Sequence, residues 1–572
     1  MSSTALNLSQ TESMTVGWLA GHREIVIVIA VAVAAIVPAM VFGIPSNRDL
    51  SNHFRFALPF YDALVSGNVF PSWLQDSNGG YGDASFRFYP PALYYLLALM
   101  RFLTRSWYVG TLATFTLINA IGALGVYLWA RTILPSREAM WSGIFFSLMP
   151  YHLNQYYQAT MLAEFAATSV LPFSFYFVEK VCESRRTRDI AGLALSYAML
   201  LFTHLPLTVI GSLALGIYAL LRLPKTHRLK TTVALGMGIF LGLLASARFW
   251  TTVLAEQAWI RADNILPDPS VDYRINFIFS TLSPENLNVW WMNILLASTF
   301  AMLWPALSLL WSSRTKPELM PTRRIGLLAP IGLLALTLFM STPVSRVIWT
   351  LARPLQQTQF PWRWLAITSM VVPIVMAAAL PYWESIAKGK KRALAILAAG
   401  SIAVSIAFSA AHTVREAKPF DATQFARTLQ EIPGSPGVSQ WWPSWVHEPF
   451  QKMARAVESP GREVAIERWD PERREFVVGP GKGDVRVRTF FYPHWKAFSG
   501  NTELSVRPDK DGAILVGVPE NATTVVLQFQ EPARVRLTMA IGLLGFMVIF
   551  GLLFWNLLFG QDKAGATKVL VS

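Results

Sequence analysis

An acid and a histidine four positions apart are the first pair of residues in this chain whose types and spacing could do chemistry. They are Asp49 and His53. If the residues after Asp49 are helical, the two side chains lie one turn apart on the same face. A carboxylate beside an imidazole can serve as a general base, a pair of metal ligands or a proton relay. The alternative is structural, with Asp49 capping a helix and His53 making a local hydrogen bond.

A later segment carries cations that could stabilise a developing negative charge. Arg346, Arg353 and Arg363 lie within 343–363. A guanidinium matches the geometry of a phosphate in a way that an ammonium does not. The alternative is that each arginine reaches from the membrane interface to lipid headgroups.

Four further ionisable residues lie at the ends of apolar stretches, all at one predicted depth: Glu164, His204, Arg248 and Glu256. An unpaired charge in hydrocarbon is costly and tends to mark a site or a pathway. The alternative is a structural ion pair such as Glu164 with Arg248. On the first interpretation, these four residues contribute to binding of a substrate or a phosphate.

The elements that must position these residues are membrane helices. Of the 572 residues, 53% are hydrophobic and only 15% are charged, which is too apolar for a soluble globular protein. A helix needs about 20 apolar residues to cross a bilayer. The sequence predicts twelve spans, at 25–44, 107–130, 139–151, 159–180, 190–203, 205–222, 232–254, 288–311, 325–342, 364–384, 393–412 and 536–559. We interpret the first as an uncleaved helix, because it has no small-residue cleavage site.

The net charge of +14 is explained by membrane topology. Five alternate connections hold 18 Lys or Arg and four acids. They are 131–138, 180–189, 222–231, 312–324 and 385–392. By the positive-inside rule these connections are cytoplasmic, as are both termini. This topology predicts a multi-pass membrane protein, with membrane lipids and no nucleic acid among its partners.

The domain organisation follows from the complementary connections. The predicted first outer loop, 45–106, contains interfacial helices, and 413–535 has short alternating runs that predict an extracytoplasmic β-sandwich. The predicted fold is therefore an all-α polytopic membrane protein with a C-terminal extracytoplasmic β-domain. Its parts are a cytoplasmic tail 1–24, a transmembrane domain 25–412, the β-rich domain 413–535, and a final helix with a cytoplasmic tail 536–572.

Several motifs give the chain a recognisable resemblance. They are Asp49 and His53 followed by Pro71-Ser-Trp73, Gly80-Tyr-Gly82 and Phe88-Tyr-Pro-Pro91, then Gln359-Phe-Pro-Trp-Arg-Trp364, and Phe491-Tyr-Pro-His-Trp-Lys-Ala497. The chain resembles the bacterial membrane family labelled 6-pyruvoyl-tetrahydropterin synthase-related, and the last motif is shared with YfhO-like proteins. Both groups resemble the GT-C glycosyltransferase superfamily, and the similarity extends over most of the chain.

The resemblance implies a GT-C-type membrane glycosyltransferase that takes a sugar from a polyprenyl-phosphate carrier and passes it to a lipid, glycan or protein acceptor. Superfamily members keep an acidic residue, the presumed base, in the first outer loop, and Asp49 occupies that position. His53 is then a base partner or phosphate contact, and Arg363 is the leading phosphate-binding cation. Many members have two adjacent acids where this chain has Arg48-Asp49, so a requirement for Mg²⁺ or Mn²⁺ stays open.

Two other function classes fit the same sequence. One is a transporter or flippase of lipid-linked sugars, and the other is a non-catalytic envelope assembly protein. Against a transporter, no duplicated half is visible, and the polar residues gather at one surface rather than at mid-depth.

Overall fold

The computed structural model describes residues 22–47, 49–260, 271–281, 287–312, 324–388, 392–447 and 453–559. Both predicted cytoplasmic tails, Arg48 and most of the basic connection 312–324 lie outside the described residues, so the predictions for them stay predictions.

Helices dominate the described part of the chain up to residue 431. The first eleven are α1 Arg23–Ala34, α2 Val37–Phe42, α3 Leu50–Val65, α4 Ala92–Thr104, α5 Trp107–Arg131, α6 Ser136–Ser147, α7 Pro150–Tyr157, α8 Leu162–Ser184, α9 Thr187–Thr203, α10 Leu205–Arg222 and α11 Arg228–Ala245. They continue with α12 Ala247–Glu256, α13 Leu287–Ser312, α14 Arg324–Ser341, α15 Arg346–Leu351, α16 Arg353–Gln356, α17 Leu365–Ala378, α18 Leu380–Ala387, α19 Arg392–Arg415 and α20 Ala422–Glu431, and the last helix is α21 Ala533–Phe559.

Among the described residues, eight helices are long and apolar enough to cross a membrane. The helical segments Gly326–Ser341 and Pro343–Leu351 are bent by 82° relative to each other, and they make a ninth span if they are counted as one. The other three predicted spans, 139–151, 159–180 and 190–203, correspond to α6, α8 and α9, which do not meet that criterion. The first of them is a 12-residue helix that ends before Pro150. The predicted span 232–254 is also divided, because α11 ends at Ala245 and α12 begins at Ala247. The number twelve is therefore not confirmed, whereas a mostly helical membrane protein is.

The predicted interfacial helix is present as α4, with 13 residues. Its N-terminal part is buried through Leu93, Tyr94 and Leu97, whereas Phe102 and Leu103 near its end are exposed. A helix of this length is too short to cross the hydrocarbon layer.

The C-terminal β-region that the alternating runs predict contains two antiparallel sheets. Its strands are β3 Val457–Glu458, β4 Val464–Trp469, β5 Arg473–Val478, β6 Val485–Phe490, β7 Trp495–Ser499, β8 Thr502–Leu504, β9 Val506–Pro508, β10 Ala513–Val516 and β11 Thr523–Phe529. The strand orders are β3-β6-β10-β9 and β4-β5-β11-β7-β8. Buried side chains of both sheets, such as Val487 and Leu527, belong to one hydrophobic cluster. We call these two sheets the β-domain.

The loop between α3 and α4 packs into the β-domain. Trp73 is fully buried there, with its ring edge-on to Trp495 at 5.4 Å, and Tyr81 stacks on Phe490 at 4.9 Å. Asn78 accepts hydrogen bonds from Gly437 N and from Trp442 Nε1, both at 2.7 Å. The loop between α3 and α4 is therefore part of the same packed unit as the β-domain. Aromatic burial of this size contributes strongly to holding the two segments together.

Candidate functional site

The start of α3 is held in place by segments from distant parts of the sequence. A two-stranded sheet joins β1 Ile44–Pro45 to β2 Pro419–Phe420, immediately before α3 and after α19. The backbone N–H of Asp49 donates to Thr160 Oγ1 at 3.0 Å. These contacts fix the backbone of Asp49, so its side chain has a defined place.

The carboxylate of Asp49 is not used to cap its own helix. Asp49 is the residue before α3, but its side chain makes no capping hydrogen bond. Asn52 Nδ2 donates to its Oδ1 over a long 3.4 Å. Asp49 is half-buried, and a negative charge at a helix N-terminus is favoured by the helix dipole. Asp49 therefore occupies the N-cap position of α3 without a side-chain capping hydrogen bond, and the residue is partly exposed.

His53 lies one turn further along α3 and belongs to a line of hydrogen-bonded rings. Its Nδ1 is 2.9 Å from the hydroxyl of Tyr94, which in turn hydrogen-bonds the hydroxyl of Tyr89. Burial lowers the pKa of His53 to about 4, so the imidazole is neutral at pH 7. His53 is thus a neutral hydrogen-bonding group rather than a cation.

Arg363 is held in a fixed orientation by a buried carboxylate. Its Nε donates to Glu164 Oε2 at 2.9 Å, and Nη1 donates to the carbonyl oxygen of Thr358 and to Gln359 Oε1. Glu164 also accepts hydrogen bonds from Tyr151 and Gln155. Among the described residues, Nη2 of Arg363 has no hydrogen-bond partner. A guanidinium fixed on one side in this way keeps donors for an anion on the other.

His204 is the residue that precedes α10, and its ring nitrogen Nδ1 accepts a hydrogen bond from Leu207 N at 3.3 Å. Burial, the charge of Arg363 and the neighbouring His53 hold the pKa of His204 well below its usual range. The ring is therefore neutral and carries its proton on Nε2. His204 is half-buried, so this N–H is a second donor near Arg363.

Electrostatic interactions show that these groups occupy one region. Burial raises the pKa of Tyr89, the negative charge of Asp49 raises it further, and Arg363 opposes this effect. Burial, Tyr89 and Asp49 also raise the pKa of Tyr94. Such effects require short distances in a medium of low polarity. We call this group the Asp49 cluster: Asp49, His53, Tyr89, Tyr94, His204 and Arg363, with Glu164 behind Arg363.

Two of the arginines in 343–363 lie elsewhere. Arg346 and Arg353 are exposed, and the charge of Arg346 acts on Asp272. In the described part of the chain, neither makes a hydrogen bond or an ion pair with the Asp49 cluster. The prediction that they bind phosphate has no geometric support here.

The expected pairing of Glu164 with Arg248 is wrong. Glu164 pairs with Arg363, whereas Arg248 donates from Nη2 to Ser72 Oγ at 3.1 Å and to the carbonyl oxygen of Phe70 at 3.4 Å. The two helix-borne charges lie at similar predicted depths, but different helices pack against each. The predicted depth of a charged residue in the membrane therefore does not determine which residue it pairs with.

Glu256 belongs to a second group of charges. Arg87 donates to both carboxylate oxygens of Glu256, at 2.6 and 2.7 Å. Tyr492, His494 and Arg534 also donate to Glu256, and Arg87 bridges to Glu531 at 2.6 Å. Burial alone would raise the pKa of Glu256, but the hydrogen bonds from His494 and Arg87 and the charge of Arg87 hold it below its usual range. We call these six residues the Glu256 cluster.

The Glu256 cluster joins three regions: the loop between α3 and α4, the end of α12, and the β-domain with its connection to α21. Glu256 is fully buried, and its carboxylate oxygens are occupied by protein donors. The prediction that Glu256 contributes to binding of a substrate or a phosphate is therefore not supported by its surroundings, since the residue holds elements together.

Tyr89 and Tyr94 are the members of the Asp49 cluster that the sequence did not single out. They lie in and after the Phe-Tyr-Pro-Pro motif, where tyrosines are typical of a membrane interface. The signal that the sequence offers is that the two tyrosines lie five positions apart, on either side of Pro90-Pro91. It does not reveal that the Tyr94 hydroxyl bonds His53 or that the Tyr89 hydroxyl bonds Tyr94.

Among the residues that the structure describes, no group of three or more His, Cys, Asp or Glu side chains could hold a metal ion. Arg48, the residue that replaces a second acid, lies outside them. The metal requirement stays an open prediction.

The fold and the site together define a multi-pass helical membrane protein with a polar cluster next to a β-domain. Residues 86–413 match the model of the family described as the 6-pyruvoyl-tetrahydropterin synthase related domain, membrane protein, and the chain belongs to that family. This confirms the resemblance inferred from the motifs. No curated protein matches the chain.

Several solved structures are similar to the chain, and they are membrane glycosyltransferases. The arabinofuranosyltransferase AftD from Mycobacteria is 14% identical, with a TM-score of 0.45, over 70% of this chain and 27% of that one. The Archaeoglobus fulgidus oligosaccharyltransferase tethered to an acceptor peptide is 10% identical, with a TM-score of 0.45, over 76% and 62%. ArnT from Cupriavidus metallidurans bound to undecaprenyl phosphate is 11% identical, with a TM-score of 0.35, over 72% and 77%. The chain thus spans about a quarter of the first of these proteins and under two thirds of the second.

Proposed function

We propose that this protein is a membrane glycosyltransferase that moves a sugar from a polyprenyl-phosphate carrier to an acceptor hydroxyl on the outer side of the membrane. The acceptor belongs to a lipid, a glycan or a protein. The proposal rests on the chemistry of the Asp49 cluster and on the sequence motifs around Asp49 and Arg363.

The observation that carries the proposal is that a half-buried carboxylate and a fixed guanidinium both lie close enough to one tyrosine to act on its charge. Asp49 and Arg363 both act on Tyr89, although 314 positions separate them in the chain. Glycosyl transfer from a lipid phosphate needs a base for the acceptor and a cation for the leaving phosphate. Both are present in the Asp49 cluster.

The proposed reaction is a single inverting displacement. Asp49 accepts the proton of the acceptor hydroxyl as its oxygen forms a bond to the anomeric carbon. The bond from that carbon to the phosphate oxygen breaks, and its electron pair leaves with the polyprenyl phosphate. Arg363 Nη2 and His204 Nε2–H donate hydrogen bonds to this phosphate. Charge-assisted donors that are already oriented stabilise developing charge without reorganisation.

Glu164 and His53 act through other residues in this proposal. Glu164 orients Arg363, so it is a positioning residue. His53, neutral and bonded to Tyr94, keeps the wall beside Asp49 polar without adding a second positive charge. A cationic histidine there would lower the basicity of Asp49.

The experiment is sugar transfer by the purified full-length chain in sealed vesicles, with radiolabelled polyprenyl-phosphate sugars and total envelope extract as the acceptor source. We expect a covalently labelled product and release of polyprenyl phosphate. Movement of the intact donor across the bilayer without a new bond identifies a flippase instead. Neither product nor movement with any donor of the panel identifies an assembly protein, and either result contradicts the proposal.

A further inference from the structure

A groove of about 330 Å³ lies along the last helix, on the side of α21 that faces α9, α11 and α12. Its walls are almost entirely apolar. We call it the α21 groove. The residues that α21 contributes to it are Val535, Met539, Gly542, Leu543 and Phe546.

The length of the α21 groove matches one leaflet of a bilayer. Val535 and Phe546 are eleven residues apart, which is about 16 Å along a helix. This is about half of the roughly 30 Å hydrocarbon thickness. Val535 lies near the start of α21, next to the β-domain, so the groove runs from the membrane surface on the β-domain side to about the mid-plane. A hydrocarbon chain of one leaflet covers that depth.

The end of the α21 groove near the β-domain is polar and basic. Arg87, Arg248 and Ser72 line this end. Arg87 is neutralised by Glu256 and Glu531. Arg248 is bonded to the neutral groups of Ser72 and Phe70, and its guanidinium lies over the Phe70 ring at 5.3 Å.

Arg248 has no ion pair in the described part of the chain. The carboxylates that act on it at longer range are Glu531, which pairs with Arg87, and Glu472, whose pKa burial raises above the ordinary value. Burial lowers the pKa of Arg248, and Glu531 opposes that effect. A half-buried cation beside apolar walls is costly unless an anion accompanies it. The charge and position of Arg248 therefore suit an anionic group at the membrane surface.

We propose that the α21 groove binds one glycerophospholipid from the leaflet on the β-domain side, with an acyl chain along α21 and its phosphate on Arg248. This lipid is additional to the sugar donor of the proposed function, and the inference does not depend on that function. Apolar burial of the chain and a charge-assisted hydrogen bond to the phosphate both favour binding.

An aromatic wall separates the lipid from the Asp49 cluster. Phe60 and Phe86 line the α21 groove, and their rings contact the ring of Tyr94 at 6.2 and 5.0 Å. Tyr94 holds His53 on the other side. A bound lipid thus packs against α3 and α4 on the side away from the Asp49 cluster, and it also holds α21 in place against them.

The test is lipid retention by the full-length chain after reconstitution with phosphatidylethanolamine and phosphatidylglycerol and extraction in mild detergent, counted by native mass spectrometry. We expect one phospholipid per wild-type chain. Arg248→Gln removes the phosphate contact, and Leu543→Trp fills the groove. Each is expected to lower retention about tenfold, as loss of one charged hydrogen bond or of the chain site does.

The chain offers a matched control for each variant. Leu544 is as exposed as Leu543 but does not line the groove, and Arg346 is an exposed arginine outside it. Leu544→Trp and Arg346→Gln should retain the lipid as the wild type does. Arg248→Lys should retain part of it, because lysine keeps the positive charge. Addition of phosphatidylglycerol should raise the Tm of wild type and of the controls, which shows that these chains are folded.

Equal retention by Arg248→Gln and wild type would overturn the proposal, as would equal loss in Leu544→Trp and Leu543→Trp. So would recovery of polyprenyl phosphate in place of phospholipid when both are supplied, because the groove would then be the donor site. Transfer activity is not part of the readout, so its absence leaves this inference standing.

Discussion

The Asp49 cluster and the Glu256 cluster use the same residue types in opposite ways. In each, a carboxylate and arginines meet histidine and tyrosine side chains at the β-domain end of the helices. Glu256 is fully buried, and five donors from four residues occupy its oxygens. Asp49 is half-buried, and its hydrogen bond from Asn52 is long. A carboxylate surrounded by protein donors holds a fold together, whereas one that is partly accessible can act on a substrate.

The arginines show the same contrast. Arg87 pairs with both Glu256 and Glu531, so its positive charge is balanced by these carboxylates and does not attract an anionic ligand. Arg363 is bonded to one carboxylate through Nε, which leaves its terminal Nη2 for an anion. Substitutions can therefore separate the two clusters, because one should affect activity and the other stability.

The largest expected effect is on activity, from Asp49→Asn. Removal of a general base lowers the rate of transfer by roughly 10²–10⁴-fold. Stability should change by about 1 kcal/mol, since a partly exposed charge at a helix N-terminus contributes roughly that much. Asp62→Asn, on the same helix α3, is the control and should transfer at the wild-type rate. A wild-type rate of transfer by the Asp49→Asn variant would show that Asp49 is not the general base.

The next largest expected effect is a loss of stability in the Glu256→Gln variant. The substitution removes one of the two carboxylates that pair with the buried Arg87, and breaking a buried ion pair costs about 3–5 kcal/mol. Thermal unfolding in detergent measures it as a lower Tm. Glu384→Gln is the matched control, because its pair with Arg137 is exposed and such pairs contribute about 1 kcal/mol or less. Equal Tm values for the two variants would contradict the structural role of Glu256.

A smaller effect concerns pH and His53. Its pKa is about 4 in the folded chain and about 6.5 when unfolded, so below pH 6.5 the unfolded chain binds a proton that the folded chain does not. Stability therefore falls as pH decreases from about 6.5 to 4, by up to about 3 kcal/mol from this group. His53→Gln should flatten the pH dependence of unfolding in that range. Replacement of the exposed His447 should leave the curve unchanged, and a His53→Gln curve parallel to wild type would show that His53 is not buried as described.

The smallest effect is expected from Arg363→Lys. Lysine keeps the charge but cannot bond Glu164 and a phosphate at once in the planar geometry of arginine. We expect kcat to fall by about 10–100-fold, the equivalent of one charged hydrogen bond, with little change in Tm. Arg353→Lys is the control and should have no effect. A loss of the same size in Arg353→Lys would move the phosphate site to the surface helix α16.

The local elements around the site could be predicted from the sequence. Apolar length predicted the helices, and period-two alternation predicted the strands that include Phe476–Val478 and Thr524–Phe529. The 13-residue apolar stretch before Arg105 predicted α4. These properties follow from neighbouring residues, and a single sequence contains them fully.

The partners of the charged residues could not be predicted in the same way. Glu164 and Arg363 are 199 positions apart, and Arg87 and Glu531 are 444 apart. Which helix packs on which decides these pairs, and the predicted depth of a residue does not contain that information. The number of spans is left open for a related reason: residues of α6, α8 and α9 such as Phe146, Leu171 and Ala194 are fully buried against other parts of the protein, so their apolar character alone does not indicate contact with lipid.

The most direct test of the central claim is an experimental structure of the full-length chain in a lipid nanodisc with polyprenyl phosphate. The account predicts that the phosphate lies within hydrogen-bond distance of the Arg363 guanidinium and His204, with the Asp49 carboxylate facing the space next to it. Polyprenyl phosphate bound at Arg248 instead of Arg363, or an Asp49 side chain turned away from the bound polyprenyl phosphate, would contradict it.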